Sequence, residues 1–287
     1  MRRLISLILV ILMCLSSAVA EWEFYDRFPG KFLEKGAEPV ITETSYQSDS
    51  IYFTVTSMRV HDSDVYVIDI YIASVENLQR YYGGGEWGRK TVRMSKLSEE
   101  SGAILAMTGD SSQNFNAGWV IGNGEVQRGD RNRKRDLCIL YRNGEMVGLH
   151  ADQIDNEGLA ADSSHVWQTF LFGPTLLDEN GIAYDDFSSS NVQRINPRSV
   201  IGYYEPGHYC FVQVDGRGKK SALESGKKNR GLTLEELAVF MQGIGCKVAY
   251  NLDGGRSSMV WYQGEIISTP AAADRQIGDI VLLKELD

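Results

Sequence analysis

Alternating apolar and polar positions predict a β-hairpin in residues 50–73. Two runs rich in β-branched and aromatic residues are separated there by the polar cluster 61–64, which is typical of a hairpin turn. Two further turns are predicted at Asn123-Gly124 and Asn143-Gly144, because each Asn-Gly pair interrupts an apolar run. The first half of the chain therefore predicts several short antiparallel strand pairs.

The C-terminal third predicts a strand, a helix and a second strand. Residues 209–214 and 247–252 are short apolar runs, and an Asp-Gly pair follows each of them. Between them, Thr233 can cap a helix, and Glu236 three residues later completes a capping box. One face of this helix is apolar at Leu234, Leu237, Ala238 and Met241. The simplest arrangement is a parallel strand pair with a right-handed crossover, which places both Asp-Gly pairs at one edge of a sheet.

These elements predict an α+β (mixed α/β) fold: a single domain with a mixed β-sheet, strand-end active-site loops and a few packing helices. A short helix at 95–101 and an apolar strand at 103–107 contribute to it. No long repeat or linker divides the chain. We expect a signal peptide at 1–20, an irregular lead-in at 21–49 and one domain at 50–287.

The N-terminus is typical of a secretory signal peptide. Arg2 and Arg3 precede an apolar run at 4–15, and the small residues at 18–20 form a cleavage site after Ala20. This run is too short to span a bilayer comfortably, and the sequence holds no second run of 18 apolar residues. The chain is therefore expected to be secreted or extracytoplasmic, with no membrane span after signal cleavage.

Composition and charge narrow the class of protein. The chain has 287 residues, of which 43% are hydrophobic and 23% charged, which excludes a disordered chain. Its formal net charge is -9, so nucleic acid is not an expected partner. Cys138, Cys210 and Cys246 lie in apolar contexts and are interpreted as buried small hydrophobes. Whether two of them form a disulfide, and which oligomeric state the chain adopts, is left open.

Three carboxylates follow predicted strands, and each lies next to a glycine: Asp110, Asp215 and Asp253. Glycine allows a backbone to approach a ligand closely or to adopt positive φ. The set predicts a site at the strand ends. The alternative is three ordinary Asp-Gly turns, since this pair is common in turns.

The segment around Asp253, residues 251–258 (NLDGGRSS), resembles the signature of the phosphodiester glycosidases, the family of the lysosomal uncovering enzyme and its secreted bacterial relatives. Five further segments agree in order and spacing: 108–110 (TGD), 172–177 (FGPTLL), 196–202 (NPRSVIG), 214–217 (VDGR) and 231–238 (GLTLEELA). The resemblance covers residues 50–287. Two positions depart from it: Thr108 stands where the family usually has Asn, and Arg256 replaces a glycine.

The resemblance implies hydrolysis of a sugar joined through its anomeric carbon to a phosphodiester. A carboxylate would stabilise or attack the oxocarbenium-like carbon, and arginines would bind the phosphate oxygens. Asp253 is then the candidate nucleophile or general base, with Asp215 and Asp110 as further catalytic carboxylates. Arg198 and Arg217 are the candidate phosphate ligands. The alternative for both arginines is a structural ion pair with Asp215 or Asp110.

The remaining candidate substrate-binding residues are Asn251, Gly254, Gly255, Ser257 and Ser258. The two glycines would present backbone N–H groups, and the serines would present hydroxyls. Two carboxylates beside a glycine-rich loop could also hold a divalent cation such as Ca²⁺ or Mg²⁺. The spacing matches neither an EF-hand nor a His-Glu-x-x-His zinc site, so metal ligands stay unknown.

The sequence therefore predicts a secreted hydrolase that cleaves a sugar from a sugar-1-phosphodiester, with an envelope or exopolysaccharide-type glycan as substrate. The alternative is a noncatalytic glycan-binding envelope protein on the same fold. A third reading is a hydrolase of plain glycosides. Basic runs at 128–135 and 219–230 are interpreted as solvated loops, or as segments that attract a polyanionic polymer.

Overall fold

A computed structural model describes residues 23–88, 90–129 and 135–286 of the chain. The expected signal peptide at 1–20 lies outside these residues, so it stays a prediction. In the described ranges, no helix combines the length and the apolar character that a membrane crossing requires.

The largest sheet has seven strands. In spatial order they are β1 (Val40–Thr42), β2 (Ser45–Gln47), β3 (Ile51–Val60), β4 (Ser63–Ile72), β14 (His208–Val214), β13 (Arg198–Glu205) and β17 (Val248–Asn251). The hairpin predicted for 50–73 is confirmed as β3 and β4. Its turn is formed by His61 and Asp62, which both have positive φ. Residues 40–47 were expected to be irregular, but they form β1 and β2 at the sheet edge.

The predicted parallel pairing of 209–214 with 247–252 is wrong. Strands β14 and β17 run in the same direction, but β13 lies between them and is antiparallel to both. All strand pairs in the described ranges are antiparallel, so the sheet is not mixed. The two Asp-Gly pairs still reach one sheet edge, because two strands antiparallel to a common neighbour end at the same side.

A second sheet of five strands packs against the first. In spatial order it consists of β19 (Glu265–Ile266), β18 (Val260–Tyr262), β7 (Leu105–Thr108), β21 (Asp279–Leu283) and β5 (Leu78–Tyr82). A three-stranded sheet contains β11 (Met146–Leu149), β10 (Leu137–Tyr141) and β12 (Val166–Phe170). Short pairs are formed by β6 (Val92–Arg93) with β20 (Gln276–Ile277), β8 (Val120–Gly122) with β9 (Glu125–Arg128), and β15 (Lys219–Lys220) with β16 (Lys228–Asn229). Both Asn-Gly hairpins and the strand at 103–107 are confirmed.

The helices of the described ranges are α1 (Met94–Ser101), α2 (Asn156–Asp162) and α3 (Leu234–Gly243). Single 3-10 turns lie at Tyr25–Arg27, Val75–Asn77, Ser112–Asn114 and Ser163–His165. The predicted capping box begins α3: Glu236 N donates to Thr233 Oγ1 at 3.2 Å, and Thr233 N donates to Glu236 Oε2 at 3.0 Å. The α+β class is confirmed.

The apolar core lies on both faces of the seven-stranded sheet. On one face, Phe53, Ile70 and Phe211 pack against residues of the five-stranded and three-stranded sheets. On the other face, α3 contributes Leu237 and Met241. Helix α1 covers the outer face of the five-stranded sheet. Cys138, Cys210 and Cys246 are buried, as expected, and none of the three forms a disulfide. This layering holds the edge where β14 and β17 end in a fixed position.

Candidate active site

The candidate site lies at the sheet edge where β14 and β17 end and β13 begins. Arg198 pairs with Val214, and Val200 pairs with Asn251, so the three strands are level there. Asp215 directly follows β14, and Asp253 follows β17 by two residues. The edge therefore brings together two of the three predicted carboxylates and one predicted arginine.

A cleft of about 410 Å³ opens at this edge. It is lined by Asn114, Phe172, Asn191, Val192, Asn196, Arg198, Arg217, Asn251, Asp253, Gly254, Gly255, Arg256, Ser257 and Arg275. Most of the predicted site residues are in this set. Asp110, Asp215 and Ser258 are not.

In the part of the chain that the structure describes, Asp253 is the one carboxylate that lines the cleft. Ser111 Oγ donates to its Oδ2 at 2.7 Å, and Asp253 N donates to Gly109 O at 3.1 Å. Burial raises the pKa of Asp253, and hydrogen bonds from Ser111 and Ser257 oppose that shift. The result is a fixed, partly desolvated carboxylate that faces the ligand space.

Arg198 is buried in the cleft wall, with 2% of its surface exposed. Its guanidinium donates to the backbone carbonyls of Leu232 at 3.0 Å and Arg194 at 2.6 Å. Among the ion pairs of the described residues, none includes Arg198. Burial lowers its pKa to about 10, which still leaves it charged at neutral pH. The expected alternative, a structural ion pair with Asp215 or Asp110, is therefore wrong for Arg198.

Three further arginines make the cleft strongly positive. Arg217 donates to Asn196 Oδ1 at 3.0 Å, and it has φ +56°. Arg256 and Arg275 are exposed and complete the lining. Four guanidinium groups against one carboxylate favour an anionic ligand, and the planar fork of arginine suits phosphate oxygens.

The glycine pair allows the loop after β17 to run against β13. A Cβ on Gly254 would lie 2.7 Å from Pro197 O, so only glycine fits there without a shift. Gly255 has φ +62°, and its N–H donates to Pro197 O at 2.8 Å. This corrects one expectation: the N–H of Gly255 holds the loop in place and is not presented to a ligand.

Two predicted polar residues face the cleft and one does not. Asn251 donates to Gly173 O at 2.7 Å, while its buried Oδ1 has no hydrogen-bond partner among the described residues. Ser257 lines the cleft next to Asp253. Ser258 is fully buried and bonds to Ser199 at 2.9 Å and to Gln213 at 3.1 Å. Asn251 is thus fixed in the cleft wall by its hydrogen bond to Gly173.

Asp110 belongs to a closed polar network beneath the cleft. Its carboxylate is fully buried, lies 3.1 Å from Arg80 and accepts from the backbone N–H groups of Leu171 at 2.8 Å and Phe172 at 2.7 Å. Arg80 also binds Asp279 at 2.7 Å. Burial raises the pKa of Asp110 to about 6, although the Arg80 cation opposes the shift. Asp110 has no access to the cleft, so the structure does not place it as a reacting carboxylate.

Asp215 lies at the predicted edge but is not part of the cleft lining. Its Oδ2 accepts from Thr269 N at 2.8 Å, while its buried Oδ1 has no hydrogen-bond partner in the ranges that the structure describes. Burial raises the pKa of Asp215 to about 6. Its predicted catalytic role stays a prediction, with no contact to the cleft in its support.

A second cavity of about 1010 Å³ continues from the cleft. The two share Asn114, Phe172, Asn191 and Val192. Phe115 and Phe172 lie on its wall with ring centroids 6.2 Å apart, and Arg135 covers the Phe115 ring at 4.2 Å. Aromatic faces beside amides suit sugar rings, so the ligand space extends beyond a single phosphate group.

The described residues contain no cluster of side chains that matches the expected cation site. Within the described ranges, no group of three or more His, Cys, Asp or Glu side chains is close enough to bind one metal ion. Asp253 is the carboxylate among the described residues of the cleft lining, and the other side-chain oxygens there are amides and the Ser257 hydroxyl. A divalent cation therefore stays a prediction.

Three important residues escaped the sequence analysis. Arg80 sits in an alternating strand, where a charged residue is usually solvent-facing, and gave no signal. Arg275 and Phe172 reach the cleft from distant loops, and the motif at 172–177 does not indicate that Phe172 contacts a ligand. The departure at Thr108 is also explained. Its hydroxyl donates to Ser257 O and accepts from Met259 N, so it holds the loop beside Asp253.

Comparison with known proteins agrees with the sequence motifs. The sequence model of a family described as phosphodiester glycosidase matches residues 101–284, more than half of the chain. A curated relative, the SPbeta prophage-derived uncharacterised protein YomE of Bacillus subtilis (strain 168), is 25% identical over 136 residues. That match covers 46% of this chain but 19% of the relative, so the chain spans a small part of that protein.

Solved structures share the fold at low sequence identity. The catalytic domain of zebrafish N-acetylglucosamine-1-phosphodiester alpha-N-acetylglucosaminidase, auto-inhibited by its pro-peptide, superposes with a TM-score of 0.64 at 17% identity. That match covers 82% of this chain and 83% of the zebrafish chain. A hypothetical protein from Synechocystis gives a TM-score of 0.60 at 13% identity, covering 82% of this chain and 62% of that one.

Proposed function

The chain belongs to the phosphodiester glycosidase family, and we propose that it is a secreted hydrolase that releases a sugar from a sugar-1-phosphodiester. The observation that carries this proposal is Arg198, a buried guanidinium without a carboxylate partner in the wall of the cleft. A buried charge is costly unless it is paired. A bound phosphodiester would supply the missing negative charge.

The proposed chemistry separates binding from reaction. Arg198 and Arg217 would hold the phosphate oxygens, and Asp253 would face the anomeric carbon. As a nucleophile, Asp253 would form a bond to that carbon while the C–O bond to phosphate breaks and the electron pair leaves with phosphate. Water would then hydrolyse the glycosyl ester. As a general base, Asp253 would instead accept a proton from the water that attacks.

The single carboxylate of the cleft is compatible with this leaving group. Ordinary glycosidases need a protonated carboxylic acid to assist the departure of an alcohol. A phosphate monoester leaves readily, and four arginines can stabilise its charge as the bond breaks. Asp110 would act as a positioning residue, because its network includes Asp279, which accepts from Ser111 N at 2.7 Å, and Ser111 in turn binds Asp253.

We propose an envelope or exopolysaccharide-type glycan as the substrate. The expected signal peptide would bring the chain to such material. The second cavity supports a substrate that is larger than one sugar and one phosphate. The aromatic wall at Phe172 and Phe115 would contact the further sugar units.

One observation favours the alternative of a noncatalytic glycan-binding protein. Among the described residues no second carboxylate lines the cleft, because neither Asp215 nor Asp110 is part of its wall. A site that only binds a glycan requires the arginines and the aromatic wall. It does not require a reacting carboxylate such as Asp253. The two functions differ in whether bound ligand is converted.

A panel of sugar-1-phosphodiesters, including UDP-sugars, tests the proposal by release of free reducing sugar. Each member is incubated with the purified protein, with and without Ca²⁺, Mg²⁺ or a chelator. Release that depends on Asp253 supports the hydrolase. Binding of panel members without any release supports the glycan-binding protein. A loss of release with chelator, restored by one cation, would identify a metal requirement.

A further inference from the structure

An exposed basic hairpin adjoins the cleft, and the proposed reaction uses none of its lysines. We call residues 217–230 the lysine hairpin; it contains β15 and β16. Its lysines are exposed at Lys219, Lys220, Lys227 and Lys228. The chain as a whole carries a formal charge of -9, so this patch opposes the general charge of the protein.

Like charges face each other across the lysine hairpin. Lys220 and Lys228 are directly opposite in the antiparallel register, an arrangement that destabilises a strand pair. The acidic residue of the segment, Glu224, lies 4.0 Å from Lys227 and 3.5 Å from Arg59. In the described part of the chain, Lys219, Lys220 and Lys228 form no ion pair. An anion bound between the strands would relieve this repulsion.

A buried carboxylate fixes the hairpin to the body of the protein. Asp64 accepts from Ser221 Oγ at 2.7 Å, from Ala222 N at 2.7 Å and from Asn229 Nδ2 at 3.2 Å. Arg59 binds both Asp64 and Asn229. These bonds fix the segments of the hairpin that directly follow Lys220 and Lys228.

The lysine hairpin begins inside the cleft. Arg217, its first residue, lines the cleft, and Lys219 and Lys220 follow two and three residues later. At no more than about 3.6 Å per residue, their Cα atoms lie within roughly 11 Å of Arg217. The positive charge of the cleft therefore continues outward along the hairpin.

We propose that the lysine hairpin binds anionic groups that flank the scissile phosphodiester in a polyanionic glycan, such as a polymer of sugar phosphates. This inference rests on the proposed function, because it takes the cleft as the place where one phosphodiester reacts. The polymer's next phosphates would lie along Lys220 and Lys228. Continuity with the cleft favours a glycan phosphate over an anionic membrane, which would need no path into the site.

Two substrates of the same sugar test this proposal: a methyl sugar-1-phosphate diester with one phosphate, and an oligomer of sugar-1-phosphate units. The variant Lys220→Gln/Lys228→Gln is compared with the control Lys96→Gln/Lys247→Gln, which changes the net charge equally. Lys96 lies on α1, and Lys247 precedes β17 at the end away from Asp253. We measure kcat/KM at low and high salt.

The hairpin variant is expected to lose roughly 10-fold in kcat/KM on the oligomer at low salt, and to show a weaker salt dependence than the native chain. The control and the one-phosphate substrate should change by less than about two-fold. Equal losses on both substrates, or an unchanged oligomer rate, would overturn the proposal.

Oligomer binding is measured in parallel on the native chain and on both variants, by fluorescence anisotropy of a labelled oligomer. If the native chain releases no sugar at all, the proposed hydrolase fails while this assay still decides the inference. Weaker binding by the hairpin variant alone supports it. Equal binding by both variants contradicts it.

Discussion

Two arginine–aspartate regions lie within one fold, and they differ in how their charges are balanced. Beneath the cleft, Arg80 is fully buried between Asp110 at 3.1 Å and Asp279 at 2.7 Å. In the cleft wall, Arg198 is almost as buried but meets only backbone carbonyls. The first region is complete without a ligand, and the second is not.

This difference separates structural from functional charge. Asp110 and Asp253 both follow short strands and both precede or follow glycine, so their sequence contexts are nearly the same. Their partners decide their roles. A carboxylate with its acceptor sites filled inside an ion-pair network holds the fold together, whereas one that lines an open cleft can act on a ligand.

The largest effect is expected from a substitution in the buried network of Arg80, Asp110 and Asp279. Arg80→Met should destabilise the protein by about 3–5 kcal/mol, because it leaves Asp110 and Asp279 buried without their cation. Urea unfolding monitored by circular dichroism measures this. The surface pair Arg142–Glu76, at 3.8 Å, supplies the control, since Arg142→Met should cost less than about 1 kcal/mol. Similar losses for the two variants would show that the buried network is not structural.

The next largest effect is expected at Arg198 in the cleft wall. Arg198→Gln should lower kcat/KM on a sugar-1-phosphodiester by about 10²–10³, as the loss of a preorganised charge at a transition state does. Arg198→Lys should keep part of the rate, because it retains the charge and loses the fork. Steady-state kinetics on folded protein measure both. A native rate in Arg198→Gln would contradict the proposal that this residue binds the phosphate.

A smaller effect, of opposite sign, is expected at Asp215. Its pKa is raised to about 6 in the folded protein by burial, so ionisation above that pH opposes folding. Asp215→Asn should therefore gain roughly 1 kcal/mol of stability at pH 7.5, and less at pH 4.5, where the native carboxyl is protonated. Urea unfolding at both pH values measures the difference. A loss at pH 7.5 larger than at pH 4.5 would contradict this.

The smallest expected effect is a change in the pH profile, which depends on the pKa of Asp253. This residue must be ionised to act, and burial raises its pKa, so the acid limb of kcat/KM should lie above the pH expected for an exposed aspartate, about 3.9. The Ser111 hydrogen bond opposes the shift, so Ser111→Ala should move the limb to higher pH. A pH profile of both proteins measures it, and a limb that moves to lower pH would refute the assignment.

Local structure was largely predictable because its signals are local. The capping box of Thr233 and Glu236 and the Asn-Gly turns act within a few residues. The pairing of the strands could not be predicted, because β13 lies between β14 and β17. Nothing in the two apolar runs indicates a strand between them. Only the tertiary fold decides this.

The sequence predicted the site residues that line the cleft. It did not predict the residues whose role depends on burial beneath the cleft. Asp253, Arg198 and Arg217 were expected from their motifs and line the cleft. The burial of Asp110 was not predicted, because an aspartate beside a glycine after a strand looks the same in sequence whether it faces solvent or Arg80. Arg80 itself was missed, since its partners come from segments about 30 and 200 residues away.

The most direct test compares two matched variants, Asp253→Asn and Asp110→Asn, for sugar release and for the free energy of unfolding. The account predicts that Asp253→Asn is folded and releases no sugar from the best panel substrate. Asp110→Asn should be destabilised by several kcal/mol, about 3–5, yet retain sugar release per folded molecule within about 10-fold. Equal release by native and Asp253→Asn protein, or loss of release with unchanged stability in Asp110→Asn, would contradict the division between the two regions.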